Sequence, residues 1–271
     1  MGTLAFAPSA GGIATLSLPA VSITAGTLML QSNTVHANRT LLSTASLSIA
    51  GGKLDLGSND MVIHNGNLGT VTTAGSITYE IAQGRNAGAG GAWTGSGITS
   101  SSAAATPTTT ALAVELNSDG SSANGGLGNP LVPTFDGQPV TETDVLVKYT
   151  YVGDADLSGT ITSADYLLID NGFNSRSSGS PLLGWHNGDF NYDGVINGDD
   201  YTLIDNAYNS QGGGSFAATP VFSANVTEQI SSAVPEPASL SLIGIATSSL
   251  CMRRNRRRQL TRYKLPQGSS V

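Results

Sequence analysis

Apolar and polar residues alternate in short runs through the first third of the chain, and two of those runs are copies. VSITAGTLMLQSN (21–33) and LSIAGGKLDLGSN (47–59) agree at seven of thirteen positions, at an offset of 26. Each reads as an alternating strand, a Gly-containing bend, a second alternating strand and a polar turn. Ile23, Leu28 and Leu30 fall where Ile49, Leu54 and Leu56 fall, so each unit sends the same positions inward. One unit cannot bury its own face, whereas stacked units share a core. A β-solenoid-like region over 1–150 is therefore predicted, with a β-sandwich as the alternative. TAGSITYEI (73–81) reads as a fainter third copy, 86–130 as loops rich in Gly, Ala, Ser and Thr, and ALAVEL (111–116) and VLVKYTYV (145–152) as strands.

The pattern changes after residue 150. GDADLSGTITSADYLLIDNGFN (153–174) returns as GDFNYDGVINGDDYTLIDNAYN (188–209), with 11 of 22 positions identical. Each copy opens on an acidic, glycine-punctuated loop and continues as a helix, with Tyr166, Leu167 and Ile169 mirrored by Tyr201, Leu203 and Ile204. Beyond 211–232, a flexible linker, VPEP is followed by the uncharged apolar run 238–252, by RRNRRR, and by a polar tail at 259–271.

Charge sharpens this outline. Only 11% of residues are charged and 6% are aromatic, the profile of an extracellular β-rich protein. Seven of the twelve basic residues follow Met252, leaving five basic against nineteen acidic side chains before it, a net of −14. A body that acidic excludes nucleic acid as a partner. The single cysteine, Cys251, excludes an internal disulfide framework. No nucleophile elbow, phosphate loop or zinc spacing is present, and the acids of the first 130 residues recur at no spacing that would gather them on one face. The chain reads as non-enzymatic. MGTLAFAPSAGGIATL lacks the basic start and continuous apolar run of a secretory leader, so an exported chain of this kind reads as a fragment or a mis-started frame.

The duplicated loops have the ligand spacing of a hard-cation site, in which a twelve-residue loop offers oxygens from positions 1, 3, 5, 7, 9 and 12. Loop one supplies Asp154, Asp156, Ser158, the carbonyl of Thr160, Thr162 (the position that often works through a water) and Asp165. Loop two supplies Asp189, Asn191, Asp193, the carbonyl of Val195, Asn197 and Asp200. Gly159 and Gly194 stand at the sharp turn of position 6, and Ile161 and Ile196 at the apolar position 8. Two Ca²⁺ ions are expected, one per loop. The carboxylate of Asp193 against the hydroxyl of Ser158 at position 5 predicts the tighter site in loop two.

Three resemblances follow from these residues. Residues 1–85, with the phrase LSIAGGKLDLG, resemble the autotransporter-associated β-strand repeats of bacterial surface proteins. Residues 153–209 resemble dockerin domains, which are two half EF-hands: a Ca²⁺ loop plus one following helix, duplicated. Asp at position 12 and the absence of a helix before each loop both match that family, and the resemblance sets a dockerin-like module at 151–210. Dockerins plug into cohesin modules through helix residues that include a basic pair. LIDNGFN and LIDNAYN contain no Lys or Arg, so docking to a cohesin-like scaffold, as an accessory component of extracellular polysaccharide degradation, stands as the alternative to a surface role.

Residues 233–258 resemble the PEP-CTERM sorting signal of exported bacterial proteins: Pro235, Glu236 and Pro237, the apolar run, then Arg253, Arg254, Arg256, Arg257 and Arg258. This resemblance implies an exosortase-type membrane protease as partner. It also implies transient residence in the inner membrane through 238–252 and release to the cell envelope, the cell surface or the medium, where a surface polysaccharide is a further candidate partner. Fifteen helical residues span roughly 22 Å at about 1.5 Å each, short of the ~30 Å hydrocarbon core. The expected fold class is thus mainly β: a solenoid-like region, a small α dockerin-like module and a short C-terminal membrane helix.

Overall fold

The computed structural model describes residues 2–7, 11–86, 93–212 and 216. The chain divides into two compact units, Met1–Ser223 and Ala224–Val271, and all of these residues lie in the first.

The 26-residue repeat becomes parallel strand pairing. Strands β1 (Thr3–Phe6), β2 (Ala14–Leu18), β3 (Val21–Ile23), β4 (Thr27–Leu30), β5 (Thr40–Thr44), β6 (Leu47–Ile49), β7 (Lys53–Asp55) and β8 (Asp60–Ile63) follow one another with short turns. β3 pairs with β6 with Val21 opposite Leu47, β4 with β7 with Thr27 opposite Lys53, and β2 with β5 with Ala14 opposite Thr40. Equivalent side chains therefore stack, and Ile23, Leu30, Leu54 and Leu56 are buried in one core.

The mainly β, solenoid-like architecture expected over 1–150 is not what forms. The fold is mixed α/β, and the repeat ends after β8. Where a third copy was expected, the chain makes helix α1 (Ile77–Arg85). Ser76 caps it by accepting the Tyr79 N–H, and Ile77 and Ile81, four apart, share the buried face. Gly84 lets α1 approach strand β9 (Gly97–Thr99), since a Cβ there would lie 1.7 Å from the Ile98 carbonyl oxygen. The region read as loops also holds helix α2 (Ser101–Ala105), while the strand expected at ALAVEL forms as β10 (Thr110–Leu116). After the one-turn α3 (Ala123–Gly126) and the hairpin of β11 (Thr134–Phe135) and β12 (Gln138–Pro139), β13 (Val145–Tyr151) lies antiparallel between β10 and β8.

The parallel stack is thus capped by an antiparallel pair, in a five-stranded sheet of order β10-β13-β8-β5-β2 beside a four-stranded parallel sheet β1-β4-β7-β9. Seven-residue strands β10 and β13 are buried along nearly their whole length, as fully covered strands must be. Inside this layer Arg39 bridges Asp60, at 2.7 Å, and Asp136, tying β5 and β8 to the turn between β11 and β12.

Two helices close the described chain, α4 (Ser163–Ser175) and α5 (Gly198–Ser210). Among the described residues no helix is long and apolar enough to cross a membrane. The short membrane helix expected over 238–252 lies outside the described residues, as do Pro235, Glu236, Pro237, Arg253, Arg254, Arg256, Arg257 and Arg258.

Candidate metal centre

Both acidic loops curl around their own carboxylates. Leu157 and Tyr192, at position 4, share φ = 58°, and Gly159 and Gly194, at position 6, have φ of 90° and 85°. A left-handed conformation is uncommon for residues as bulky as Leu and Tyr, and its use at the same position in both loops marks a curvature that the loop requires. Backbone N–H groups then point inward. Gly159 donates to Asp154 Oδ2 at 2.8 Å, as Gly194 does to Asp189 Oδ2 at 3.1 Å.

The position-12 aspartates do two jobs. Asp165 Oδ2 accepts the Thr162 N–H at 2.8 Å, closing a capping box on α4, while Oδ1 accepts the N–H of Ala155 at 2.8 Å. Asp200 repeats this with Asn197 at 2.9 Å and Phe190 at 2.9 Å. The same carboxylate thus starts the helix, at the third position of its capping box, and faces the loop. Thr162 and Asn197 accordingly spend their side-chain oxygens on helix capping, accepting from Ala164 at 3.1 Å and Asp199 at 2.7 Å.

In loop one, carboxylate oxygens of Asp154, Asp156 and Asp165 lie within 4.8 Å of one another, the one such group of three acidic or imidazole side chains among the described residues. The Ser158 hydroxyl joins them, donating to Asp154 Oδ1 at 3.3 Å and to the Thr160 carbonyl at 3.0 Å. Loop two carries Asp189, Asp193 and Asp200 with an amide at position 3, where Asn191 Nδ2 donates to Asp193 Oδ2 at 2.9 Å and the Val195 N–H reaches Asp193 Oδ1 at 2.8 Å. Each loop therefore offers three carboxylates at its ligand positions, because Asp156 against Asn191 cancels Ser158 against Asp193, and ligand charge alone does not favour loop two.

Electrostatics make both rings costly without a cation. Burial pushes Asp154 well above the ordinary carboxylate range, against the pull of Lys148 and with Asp165 adding to the rise. Burial and Asp156 raise Asp165 to about 6; burial, Asp200 and Asp193 raise Asp189 to about 7. Burial lifts Asp200 to about 6 against its own backbone hydrogen bonds. Groups arranged to be unhappy as bare anions, yet converging, are suited to a hard cation.

The halves exchange partners. Tyr166 OH donates to Asp205 Oδ1 at 2.6 Å, and Tyr201 OH donates to Asp170 Oδ1. A Cβ on Gly153 would meet Ile204 at 2.5 Å, and one on Gly188 would meet Ile169 at 2.5 Å. Arg176, capping the end of α4, reaches the Ile196 carbonyl at 3.3 Å. Gln211, capping α5, brackets Ile161 through both its N–H and its carbonyl at 2.8 Å.

Long-range partners were not visible as ligand spacing. Trp185, in a single 3-10 turn (Trp185–Asn187), packs against Phe190 and stacks on Tyr192, and its Nε1 donates to the Asp154 carbonyl at 2.8 Å. Tyr192 OH donates to the Leu112 carbonyl of β10 at 2.7 Å. His186 Nδ1 meets Glu115 Oε1 at 2.7 Å and the Ala155 carbonyl at 3.2 Å. In the sequence Trp185 and His186 lie between the two repeats, outside the ligand spacing of either loop, and Glu115 lies within ALAVEL as one of several acids of the first 130 residues. Comparison of the chain with protein-family models, curated proteins and solved structures returns no match.

Proposed function

We propose that the protein is a non-enzymatic, exported or surface-associated protein, built on a module that binds two Ca²⁺ ions and carrying a C-terminal sorting signal. The duplicated inward-turned loop carries the first half of this reading, with the same left-handed residue, glycine and helix-capping aspartate in each copy. The ligand set of carboxylates, a hydroxyl, an amide and backbone carbonyls is all oxygen, which suits Ca²⁺. The irregular loop suits Mg²⁺ less, because that ion demands near-ideal octahedral geometry. Titration calorimetry should give two Ca²⁺ per chain, with Mg²⁺ failing to displace them; a stoichiometry of zero overturns the reading.

The preformed trio in loop one reverses the order of filling suggested by position 5. Loop one is expected to fill first, and Asp156→Asn to weaken it by about tenfold, the worth of one charge-assisted ligand. If loop two still fills first, the convergence of Asp154, Asp156 and Asp165 has no energetic weight.

The second half of the reading rests on the sequence of residues 233–258. In a host with an exosortase, the exported protein should end near Pro235-Glu236-Pro237, and Pro235→Ala with Pro237→Ala should leave an uncleaved membrane form. Deleting the Arg cluster should let the tail slip through the membrane, since orientation depends on that positive flank. Intact mass decides: an exported protein that keeps 238–271 carries an ordinary anchor.

A further inference from the structure

Two basic side chains are buried in the β layer and its first helix, and the fold leaves both short of partners. Lys148, in the middle of β13, is 0% exposed, and its Nζ has no hydrogen-bond partner among the described residues. That Nζ stands 5.9 Å from the centroid of the Phe135 ring. Asp60, which accepts the N–H of the next residue, Tyr149, is committed to Arg39, as is Asp136. Arg85, the last residue of α1, is 4% exposed; its Nε and Nη1 have no partner among the described residues, and its Cζ lies 5.7 Å from the centroid of the Trp93 ring. A buried charge without a close counter-ion is costly, so each position calls for a physical reason.

Each cation has its own loop. Thr150 follows Lys148 by two residues along the strand, so their side chains share a face, and the Thr150 hydroxyl donates to Asp154 Oδ2 at the first ligand position of loop one. Burial raises Asp154, and the strongest influence against that rise is the charge of Lys148. Trp93, the ring beside Arg85, meets Tyr192 edge-on at 6.4 Å, and Tyr192 is position 4 of loop two. Burial lowers Arg85, while Tyr192, Asp200, Asp189 and Asp193 work against that loss. The duplicated segments themselves contain neither cation. One comes from a strand and the other from a helix.

We propose that Lys148 and Arg85 are resident counter-ions, one for each acidic loop, which stabilise the ion-free carboxylates and thereby lower the affinity for Ca²⁺. The inference rests on the reading of the loops as Ca²⁺ sites. A fixed positive charge beside a ring of carboxylates favours the ring when it is empty and repels a divalent ion when it is filled. Both cations are shut away from water, so salt screens them little. Loops furnished in this way fill at a higher Ca²⁺ concentration than their three carboxylates alone would set. The threshold then belongs to β13 and α1 rather than to the loops.

The test titrates the full chain with Ca²⁺ and follows the backbone amide NMR signals of Gly159 and Gly194, which report the two loops separately. Lys148→Met should tighten loop one about tenfold and leave loop two as it is. Arg85→Met should do the reverse, and Arg85→Lys, which keeps the charge, should leave both loops as they are. Lys148→Gln, polar but uncharged, should repeat the result of Lys148→Met and covers the case in which Met is not accommodated. In each charge-removing variant the gap between the melting temperatures in chelator and in excess Ca²⁺ should widen, because tighter binding adds more to the folded form. The proposal fails if removing either charge leaves its own loop unchanged or weaker, or if it tightens both loops alike. An unmodified protein that binds no Ca²⁺ overturns the reading of the loops itself. Two bound Ca²⁺ whose affinities ignore both substitutions overturn this inference alone.

Discussion

Stripped of divalent cations by chelator at about pH 8, the protein is expected to melt about 10–20 °C below its value in excess Ca²⁺. Each ion bound at about a hundred times its dissociation constant adds about 2.7 kcal/mol to the folded form by mass action. Two ions give about 5 kcal/mol, and a domain of this size shifts by about 2–4 °C per kcal/mol. The pH dependence carries a sharper signature. Asp165, Asp189 and Asp200 titrate at about 6, 7 and 6 in the ion-free fold, above the ordinary carboxylate value, and Asp154 is raised as well.

Between about pH 4 and about pH 7 the ion-free folded chain then binds more protons than the unfolded chain, so its stability falls as pH rises through that window. Below the window the penalty is absent, and above it the penalty is complete. With Ca²⁺ the trend reverses, because the cation competes with those protons and is held better as pH rises. Melting curves at about pH 5 and about pH 8, with chelator and with Ca²⁺, should therefore have opposite slopes. Parallel slopes would mean that the loops are not cation sites.

Trp185→Ala should be the most damaging single substitution in the paired-loop module, costing about 3–5 kcal/mol. The indole is 1% exposed and is gripped by rings from loop two while it donates to a backbone carbonyl of loop one. Its removal leaves a cavity under both loops and orphans the Asp154 carbonyl. Ca²⁺ affinity should fall at both sites as well as stability, with Trp185→Phe intermediate because it keeps a ring but not the donor. If affinity at both sites survives Trp185→Ala, the residue only fills space.

What the sequence revealed depended on how local the cause was. The inward-turned acidic loops were legible because twelve consecutive residues carry both the acidic side chains and the turn glycines, and the helix caps use the same aspartates. The 26-residue repeat correctly implied stacking of Ile23 on Ile49 and of Leu28 on Leu54, because parallel register follows from identical alternation. It did not reveal where stacking stops. Ile77, Tyr79 and Ile81 fit a strand period, yet Ile77 and Ile81 also fit a helix, and the Ser76 cap decides between them. Strands 111–116 and 145–152 were visible, but their antiparallel pairing was not, since it joins residues from Leu116 and Val145 out to Thr110 and Tyr151, far apart in the chain. Glu115, Trp185 and His186 were obscure for the same reason: the bonds of Trp185 and His186 to loop one span 31 residues, and nothing local announces them.

The exchange of partners between the two halves has a further meaning. What Tyr166 does to Asp205, Tyr201 does to Asp170, and what Gly153 does to Ile204, Gly188 does to Ile169. Such an interface is isologous, the kind that joins two identical subunits about a twofold axis. The module is in effect a homodimer written into one chain, with residues 176–187 as the tether. Tethering replaces a concentration-dependent encounter with a fixed effective concentration, so the pairing persists however dilute the protein becomes. It also frees the copies to diverge. Gly172 of α4 admits the Asn187 carbonyl, which a Cβ would meet at 2.0 Å, while its counterpart Ala207 carries a methyl group. Two identical subunits could not make that distinction.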